Sequence, residues 1–203
     1  MTNLFPPNPA DNLLPYDGRV HDFGQIIEQP DTLYQTLLHS LLWQHDVVTL
    51  FGKTHVTNRQ VVWMGDELSS YHYSGHTRQS IAWSAEVFHL KCFIERVLQK
   101  QGITADFNAC LLNYYPSGGD GLGYHADNEK ELGLQPVITS ISLGATRKFV
   151  FKHRTTGEKA EILLENGHLV VMAGDTQQHW LHSLPKTKKV KDGRINLTFR
   201  KII

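Results

Sequence analysis

The chain has 203 residues, a length that fits one domain with a two-layer core. Apolar residues make up 40% of it and charged residues 20%, which is typical of a globular protein, and no apolar run approaches the length of a membrane span. The formal net charge is zero, so overall charge gives no argument for a nucleic-acid partner.

The beginning of the chain shows no sign of a secretory leader. No Lys or Arg precedes Arg19 and no apolar stretch follows the first Met, so secretion is not expected. The two cysteines, Cys92 and Cys110, lack the spacing of a metal or redox motif. Free thiols are typical of a reducing compartment, and we expect the cytoplasm, or the nucleus in a eukaryote.

The first half of the chain predicts an arm followed by two helices. Residues 1–12 are rich in Pro and Asn, which favours a loose arm. Apolar residues at helical spacing predict a helix over 31–42, with Asp31 as its N-cap. The same pattern predicts a second helix over 84–101, with Ser84 as its N-cap.

The second half changes to the two-residue period of strands. The predicted strands cover 107–115, 137–143, 147–153, 159–164, 168–172, 178–184 and 194–203. Short strands at this spacing predict a β sandwich or jelly-roll barrel. We expect one mainly β domain with flanking helices (α+β), with its jelly-roll core over 106–203. Helices and an aromatic-rich lid over the mouth of the barrel are expected within 13–105.

A possible metal site begins with His125-Ala126-Asp127 and continues with His182. Two imidazoles and one carboxylate can occupy one face of an octahedral metal, which suits a non-haem Fe(II) that must also hold a co-substrate and dioxygen. The triplet alone is weak evidence. His179 competes with His182 for the third place, because on one strand the two would have opposite parity and parity does not choose between them.

The C-terminal segment strengthens this hypothesis. Four polar residues share one parity, namely Arg194, Asn196, Thr198 and Arg200, and apolar residues occupy the alternate positions. A surface strand with solvated arginines is the alternative. The Asn and Thr between the cations favour a dianionic co-substrate instead, since they add directed hydrogen-bonding groups. The two Arg Cα atoms would lie ~20 Å apart along a strand, so their side chains would converge on opposite ends of a short dicarboxylate.

These motifs resemble the AlkB family of Fe(II)/2-oxoglutarate dioxygenases, which remove alkyl groups from nucleobases. Arg194-Ile-Asn-Leu-Thr-Phe-Arg200 is similar to the family's Arg-x-Asn-Leu-Thr-Phe-Arg signature, and His179-Trp-Leu-His182-Ser-Leu-Pro185 to the segment with the last metal histidine. Asn113-Tyr-Tyr115 is similar to its Asn-x-Tyr pair. The resemblance implies a double-stranded β-helix that binds Fe(II) through His125, Asp127 and His182. It also implies 2-oxoglutarate binding by Asn113, Tyr115, Arg194, Asn196, Thr198 and Arg200.

The substrate side also resembles this family. Leu50-Phe-Gly-Lys53 and Tyr71-His-Tyr-Ser-Gly75 are similar to elements of the homologues that act on duplex DNA. The resemblance implies oxidative dealkylation of bases such as 1-methyladenine and 3-methylcytosine in DNA. With dioxygen it would release formaldehyde, succinate and carbon dioxide. The expected substrate contacts are Phe51, Gly52, Lys53, Arg59, Tyr71, Tyr73, Asn128 and Glu129. Asn58 and Asn128 depart from the family pattern and leave the substrate open.

Three alternatives differ from a DNA demethylase. The same chemistry could act on RNA, on a protein side chain or on a small molecule. A non-catalytic module that binds alkylated DNA would not need an open metal site, and a cupin-like metalloprotein would leave Arg194 and Arg200 unexplained. Residues 183–203 carry seven Lys or Arg and one acid, which would suit a phosphate backbone near the metal. We expect a monomer.

Overall fold

A computed structural model describes residues 7–50, 53–66, 70–73 and 76–203 of the protein. For residues 49, 50, 53, 70–73 and 76–79 it describes the backbone alone.

Two antiparallel sheets face each other as a jelly roll. In spatial order, the large sheet contains β1 (Arg19–Gln25), β11 (His168–Ala173), β8 (Ile138–Gly144), β13 (Arg194–Arg200), β6 (Ala109–Tyr115), β3 (Lys53–Gly65) and β2 (Gln44–Leu50). The small sheet contains β10 (Lys159–Leu164), β9 (Arg147–His153), β12 (Trp180–Leu184) and β7 (Leu122–His125). This arrangement confirms the predicted fold class.

Apolar clusters pack against both faces of the large sheet. One face packs against α1 (Pro30–Ser40) and α2 (Ala85–Lys100). The buried apolar residues of α2 are Val87, Leu90, Ile94 and Leu98. The other face meets the small sheet across a second cluster that includes Phe151, Met172 and Trp180. Strand β13 lies in the middle of the large sheet, and all seven of its residues are buried. It is therefore not a surface strand.

Most of the predicted elements are confirmed, and their ends differ by a few residues. The Ser84 side chain accepts a hydrogen bond from Val87 N, as expected of an N-cap. Asp31 as an N-cap was wrong, because α1 begins at Pro30 and Gln29 occupies the cap position. Proline suits the first helical position, since it lacks the N–H that would stay unpaired there.

Three other features of the fold differ from the sequence predictions. The predicted strand over 178–184 begins only at Trp180, because the residues before it form the short helix α3 (Thr176–His179). Strands β1 and β7 were not predicted, since neither shows a clear two-residue period. Part of the expected lid belongs to the large sheet as β2 and β3, where consecutive apolar residues of β3 are buried on both faces.

The described part of the N-terminal arm is bound to the fold. Asn12 Oδ1 accepts hydrogen bonds from Leu14 N (3.2 Å) and Val20 N (2.8 Å), and Asn12 Nδ2 donates to Gly18 O (2.9 Å). These contacts attach the chain to the edge strand β1.

The remaining strands, β4 (Ser70–Tyr73) and β5 (His76–Gln79), form a separate hairpin within the predicted lid. Ile81 follows it and pairs with the end of β3, since its N–H donates to Trp63 O (2.9 Å) and its carbonyl accepts from Gly65 N (3.1 Å). None of the helices in the described part of the chain is long and apolar enough to cross a membrane.

The central position of β13 leads to a stability prediction. Leu197 is fully buried, on the opposite side of β13 from the polar residues. We expect Leu197→Ala to lower the free energy of unfolding by about 2–5 kcal/mol, because it removes buried methyl groups and leaves a cavity. Urea unfolding followed by circular dichroism measures this change. Leu163→Ala is the control, because Leu163 is 54% exposed. Equal effects of the two substitutions would contradict the assigned packing.

Candidate active site

A polar cleft opens between the two sheets. It holds about 560 Å³ of empty space, including the part open to solvent. The large sheet contributes Arg59, Leu111, Asn113, Tyr115, Ser140, Met172, Arg194, Asn196, Thr198 and Arg200. The small sheet and the residues after β7 contribute Leu122, His125, Asp127, Phe149, His182 and Leu184. Polar residues that the sequence predicts to be functional lie far apart along the chain, and the fold brings them together in one cleft.

Strand pairing brings the two histidines together. His125 ends β7 and His182 lies in β12, and the two are directly paired in the antiparallel register. Paired residues project to the same face of a sheet, and the imidazole centroids lie 4.2 Å apart. Asp127 follows β7 by two residues. Possible ligand atoms of His125, Asp127 and His182 all lie within 4.8 Å of one another, so these three residues could hold one metal ion.

The hydrogen bond of His125 determines which of its nitrogens can bind a metal. His125 Nδ1 lies 2.9 Å from Gly123 O. A carbonyl oxygen only accepts, so Nδ1 carries the proton and Nε2 of the neutral ring keeps its lone pair. Metal-binding histidines commonly have such a partner on the other nitrogen.

The other two side chains have protonation states that suit a cation. Burial, together with nearby His125, lowers the pKa of His182 to about 3. Burial alone would raise the pKa of Asp127, but the positive charge of Arg200, with His182 and His125, outweighs it and lowers that pKa. At neutral pH, His182 is neutral and Asp127 is ionised, and these are the forms that coordinate metals.

Two neighbours hold Asp127 in place. Gln177 Oε1 accepts a hydrogen bond from Asp127 N (2.9 Å), and both groups are buried. Arg200 Nη2 lies 3.7 Å from Asp127 Oδ2. Gln177 was not predicted, because its role depends on contact between α3 and a loop 50 residues earlier, which no local pattern indicates.

Arg194 lies at the other end of the polar face of β13. One amino group, Nη2, donates to Ser142 Oγ and Asn196 Oδ1, both at 2.7 Å, and the guanidinium carbon lies 5.7 Å from the ring centre of Tyr115. Among the described residues, no hydrogen-bond partner lies beside its buried Nε. Burial lowers the pKa of Arg194 to about 10, so it stays charged at neutral pH. An anion would satisfy this group.

The residues between the two arginines form a supporting network. Asn196 Oδ1 accepts from Ser140 Oγ (2.8 Å) as well as from Arg194, and Asn196 Nδ2 donates to Thr198 Oγ1 (2.8 Å). Asn196 therefore orients its neighbours. Because the Thr198 oxygen already accepts, its own O–H is available to donate.

Arg147 is a buried residue that was not among the predicted site residues. Its guanidinium donates to four carbonyl oxygens, those of Ser117 (3.3 Å), Gly118 (3.5 Å), Asp120 (2.8 Å) and Pro185 (2.9 Å). These carbonyls belong to the loop that leads into β7 and to the loop that leaves β12. Arg147 therefore links the loop before β7 to the loop after β12, and these are the two strands that carry His125 and His182.

The predicted substrate contacts lie in different environments. Asn128 is exposed, and Glu129 is half-buried with its Oε2 unpartnered among the described residues. Arg59 is buried and lines the cleft. Phe51 and Gly52 lie outside the described residues. Lys53 begins β3, while Tyr71 and Tyr73 lie in β4, and only the backbone of these three is described.

His179 belongs to a different group from His182. It lies near His153 and Asp17, whose possible ligand atoms are also within 4.8 Å of one another. His153 Nδ1 accepts a hydrogen bond from Thr156 N (3.1 Å), so Nε2 of the neutral ring carries the proton. That tautomer leaves no lone pair on the nitrogen that faces Asp17, which disfavours a metal there.

The chain matches one family model and is similar to several known proteins. Residues 22–200 match the model described as the 2OG-Fe(II) oxygenase superfamily. The DNA oxidative demethylase ALKBH2 of Bos taurus is 39% identical over 164 residues, which are 77% of this chain and 57% of that protein. The alpha-ketoglutarate-dependent dioxygenase alkB homolog 3 of Bos taurus is 31% identical over 186 residues, which are 87% of this chain and 63% of that protein.

A solved structure has the same fold. The structure of OsALKBH1 superimposes with a TM-score of 0.63 at 18% identity, covering 93% of this chain and 99% of that one. The chain spans about 57 to 66% of the length of the ALKBH2 proteins of Bos taurus, Mus musculus and Homo sapiens.

The hydrogen bond between Gln177 and Asp127 leads to a prediction about metal affinity. Gln177→Leu would leave the buried Asp127 N–H without its acceptor and loosen the carboxylate. We expect Co²⁺ affinity to fall about 10- to 100-fold, as is usual when a residue that orients a metal ligand is lost. Titration followed by the Co²⁺ absorption spectrum measures it. Gln178→Leu is the matched control, because Gln178 is exposed. If both variants bind Co²⁺ like the unmodified chain, Gln177 does not support the site.

Proposed function

The chain belongs to the 2OG-Fe(II) oxygenase superfamily, in its AlkB family, and we propose that it removes alkyl groups oxidatively from N-alkylated bases in DNA. The observation that carries this proposal is the geometry of the cleft. Two histidines and one carboxylate converge at one end, and at the other lies a buried Arg whose Nε has no hydrogen-bond partner among the described residues. Related proteins named DNA oxidative demethylase support the DNA substrate.

We propose that His125, Asp127 and His182 hold Fe(II). The donor set fits, because it offers two imidazoles and one ionised carboxylate and leaves other coordination positions free. Arg200 and Gln177 support this function by fixing Asp127 from two sides. The tautomer of His125 supports it as well, since Nε2 is the nitrogen with a free lone pair.

The polar face of β13 fits 2-oxoglutarate. Arg200 lies beside Asp127, where one carboxylate of the co-substrate would approach the metal. Arg194 lies six residues away on the same face, with Tyr115 against its guanidinium, where the second carboxylate would bind. Asn113 and Thr198 can each add a hydrogen-bond donor. A planar guanidinium matches a carboxylate better than a point charge does, which explains why arginines occupy both ends.

Bound there, Fe(II) and 2-oxoglutarate would use dioxygen to insert one oxygen atom into a C–H bond of the N-alkyl group, with release of succinate and carbon dioxide. The hydroxylated N-methyl group then breaks its C–N bond to give formaldehyde and the repaired base. The residues of this chain position the reacting groups and exclude water, and no side chain has to remove a proton from carbon. Glu129 could accept a hydrogen bond from the exocyclic amine of the base.

A basic loop next to the cleft supports a DNA substrate. It carries four exposed lysines, Lys186, Lys188, Lys189 and Lys191. The loop is held by backbone hydrogen bonds, from Thr187 N to Gly118 O (2.8 Å) and from Gly118 N to Val190 O (3.0 Å). Since it directly follows β12, phosphates bound to it would lie near His182.

A reducing compartment fits the free thiols, and we propose the cytoplasm, or the nucleus in a eukaryote. Cys92 is half-buried and Cys110 is buried, and both are free. Burial raises the pKa of the Cys110 thiol, which keeps it unreactive.

The proposed function is tested by formaldehyde release from oligonucleotides that contain 1-methyladenine or 3-methylcytosine. We expect release only with Fe(II), 2-oxoglutarate and dioxygen, and we expect His182→Ala to abolish it, because two ligands hold Fe(II) poorly. His179→Ala is the control and should keep activity, since His179 lies in the other cluster. DNA, RNA and methylated peptide are compared in parallel. Release from RNA or peptide but not from DNA would contradict the proposed substrate.

A further inference from the structure

We propose that Arg59 is a positioning residue for 2-oxoglutarate, acting through the side-chain amide of Asn113 and not through contact with nucleic acid. This inference rests on the proposed function, because it concerns the co-substrate end of the same cleft. It also changes the role expected for Arg59 from the sequence, which was a substrate contact.

Arg59 reaches Asn113 across the large sheet. Val61 of β3 pairs directly with Asn113 of β6, so Arg59 projects from the same face two residues away. Arg59 Nη1 donates to Asn113 Oδ1 at 3.1 Å, and both side chains line the cleft. Asn113 is only 5% exposed, so its hydrogen-bond partners largely fix its orientation.

The chemistry of Arg determines which end of the amide enters the cleft. A guanidinium has only donors, so the group facing Arg59 must be the amide oxygen. The amide nitrogen lies on the other side of the same carbon and is left to donate. A carboxylate accepts hydrogen bonds and repels an oxygen, so this orientation favours an anionic co-substrate. Without Arg59, the amide could turn over and present its oxygen instead.

Arg59 has a buried carboxylate partner, Asp46. Arg59 Nη2 forms an ion pair with Asp46 Oδ2, and Asp46 is fully buried. Arg59 itself is 5% exposed. A buried cation with a carboxylate partner is a poor phosphate ligand, because a move toward the phosphate would leave the buried carboxylate without its counter-charge. Its position favours a fixed internal role.

Binding of 2-oxoglutarate to the Mn²⁺-loaded protein tests this inference without turnover. Calorimetry compares the unmodified chain with Asp46→Leu/Arg59→Met, which replaces both charges together so that neither is left buried alone. We expect the dissociation constant to rise about 10- to 100-fold, which corresponds to one hydrogen bond to a charged group. Lys148→Met is the control, because Lys148 forms an ion pair on the surface with Glu161.

A double-mutant cycle shows whether Arg59 acts through Asn113. Asn113→Ala alone should weaken 2-oxoglutarate binding, and it should weaken it no further in the Asp46→Leu/Arg59→Met protein. Asn113→Asp keeps an acceptor for Arg59 but loses the donor, so it should also bind poorly. Additive effects of Asn113→Ala and the paired substitution would overturn the inference.

The remaining outcomes separate this inference from the proposed function. If the unmodified protein does not bind 2-oxoglutarate, the proposed function fails. If it binds 2-oxoglutarate and the paired substitution changes only the melting temperature, Arg59 is merely structural. If the paired substitution raises only the Michaelis constant for DNA, Arg59 contacts the substrate. Either of the last two results rejects the inference and leaves the proposed function standing.

Discussion

A buried guanidinium must find acceptors for its donors, and this requirement organises the cleft. Among the described residues, the buried arginines are Arg59, Arg147, Arg194 and Arg200, and all four lie around the cleft or its entry loops. Arg59 forms an ion pair with Asp46, and Arg147 donates hydrogen bonds to backbone carbonyls. Arg200 lies near the carboxylate of Asp127. Arg194 has only neutral partners in the described structure and keeps an unpartnered Nε. Among the described arginines that line the cleft, Arg194 is the one without a carboxylate partner, so its charge suits an anionic ligand.

Two different pairs of strands supply the candidate metal site and the candidate anion site. Pairing of β7 with β12 aligns the two histidines, and pairing of β13 with β6 brings Asn113 beside Asn196. Since the two sheets face each other, the face that carries His125 and His182 and the polar face of β13 line one cleft. Arg200 connects them, because it lies on β13 and close to Asp127. A dicarboxylate bound along β13 would therefore have one end at the metal.

The sequence predicted the parts of the site that follow local patterns. The alternation in residues 194–200 indicated a strand with one polar face, and the structure buries that face in the cleft. Contacts between distant segments could not be predicted. The contacts of Gln177 with Asp127 and of Arg59 with Asn113 depend on tertiary packing, and no periodic pattern in the sequence indicates them. The strand over 178–184 was predicted too long because its first residues form a helical turn.

A crystal structure of the protein with Mn²⁺ and 2-oxoglutarate, prepared without dioxygen, tests the central claim most directly. We expect the metal on His125, Asp127 and His182, and one carboxylate of 2-oxoglutarate on the Nε side of Arg194. Density for the metal on Asp17, His153 and His179, or a 2-oxoglutarate carboxylate bound away from Arg194, would contradict it.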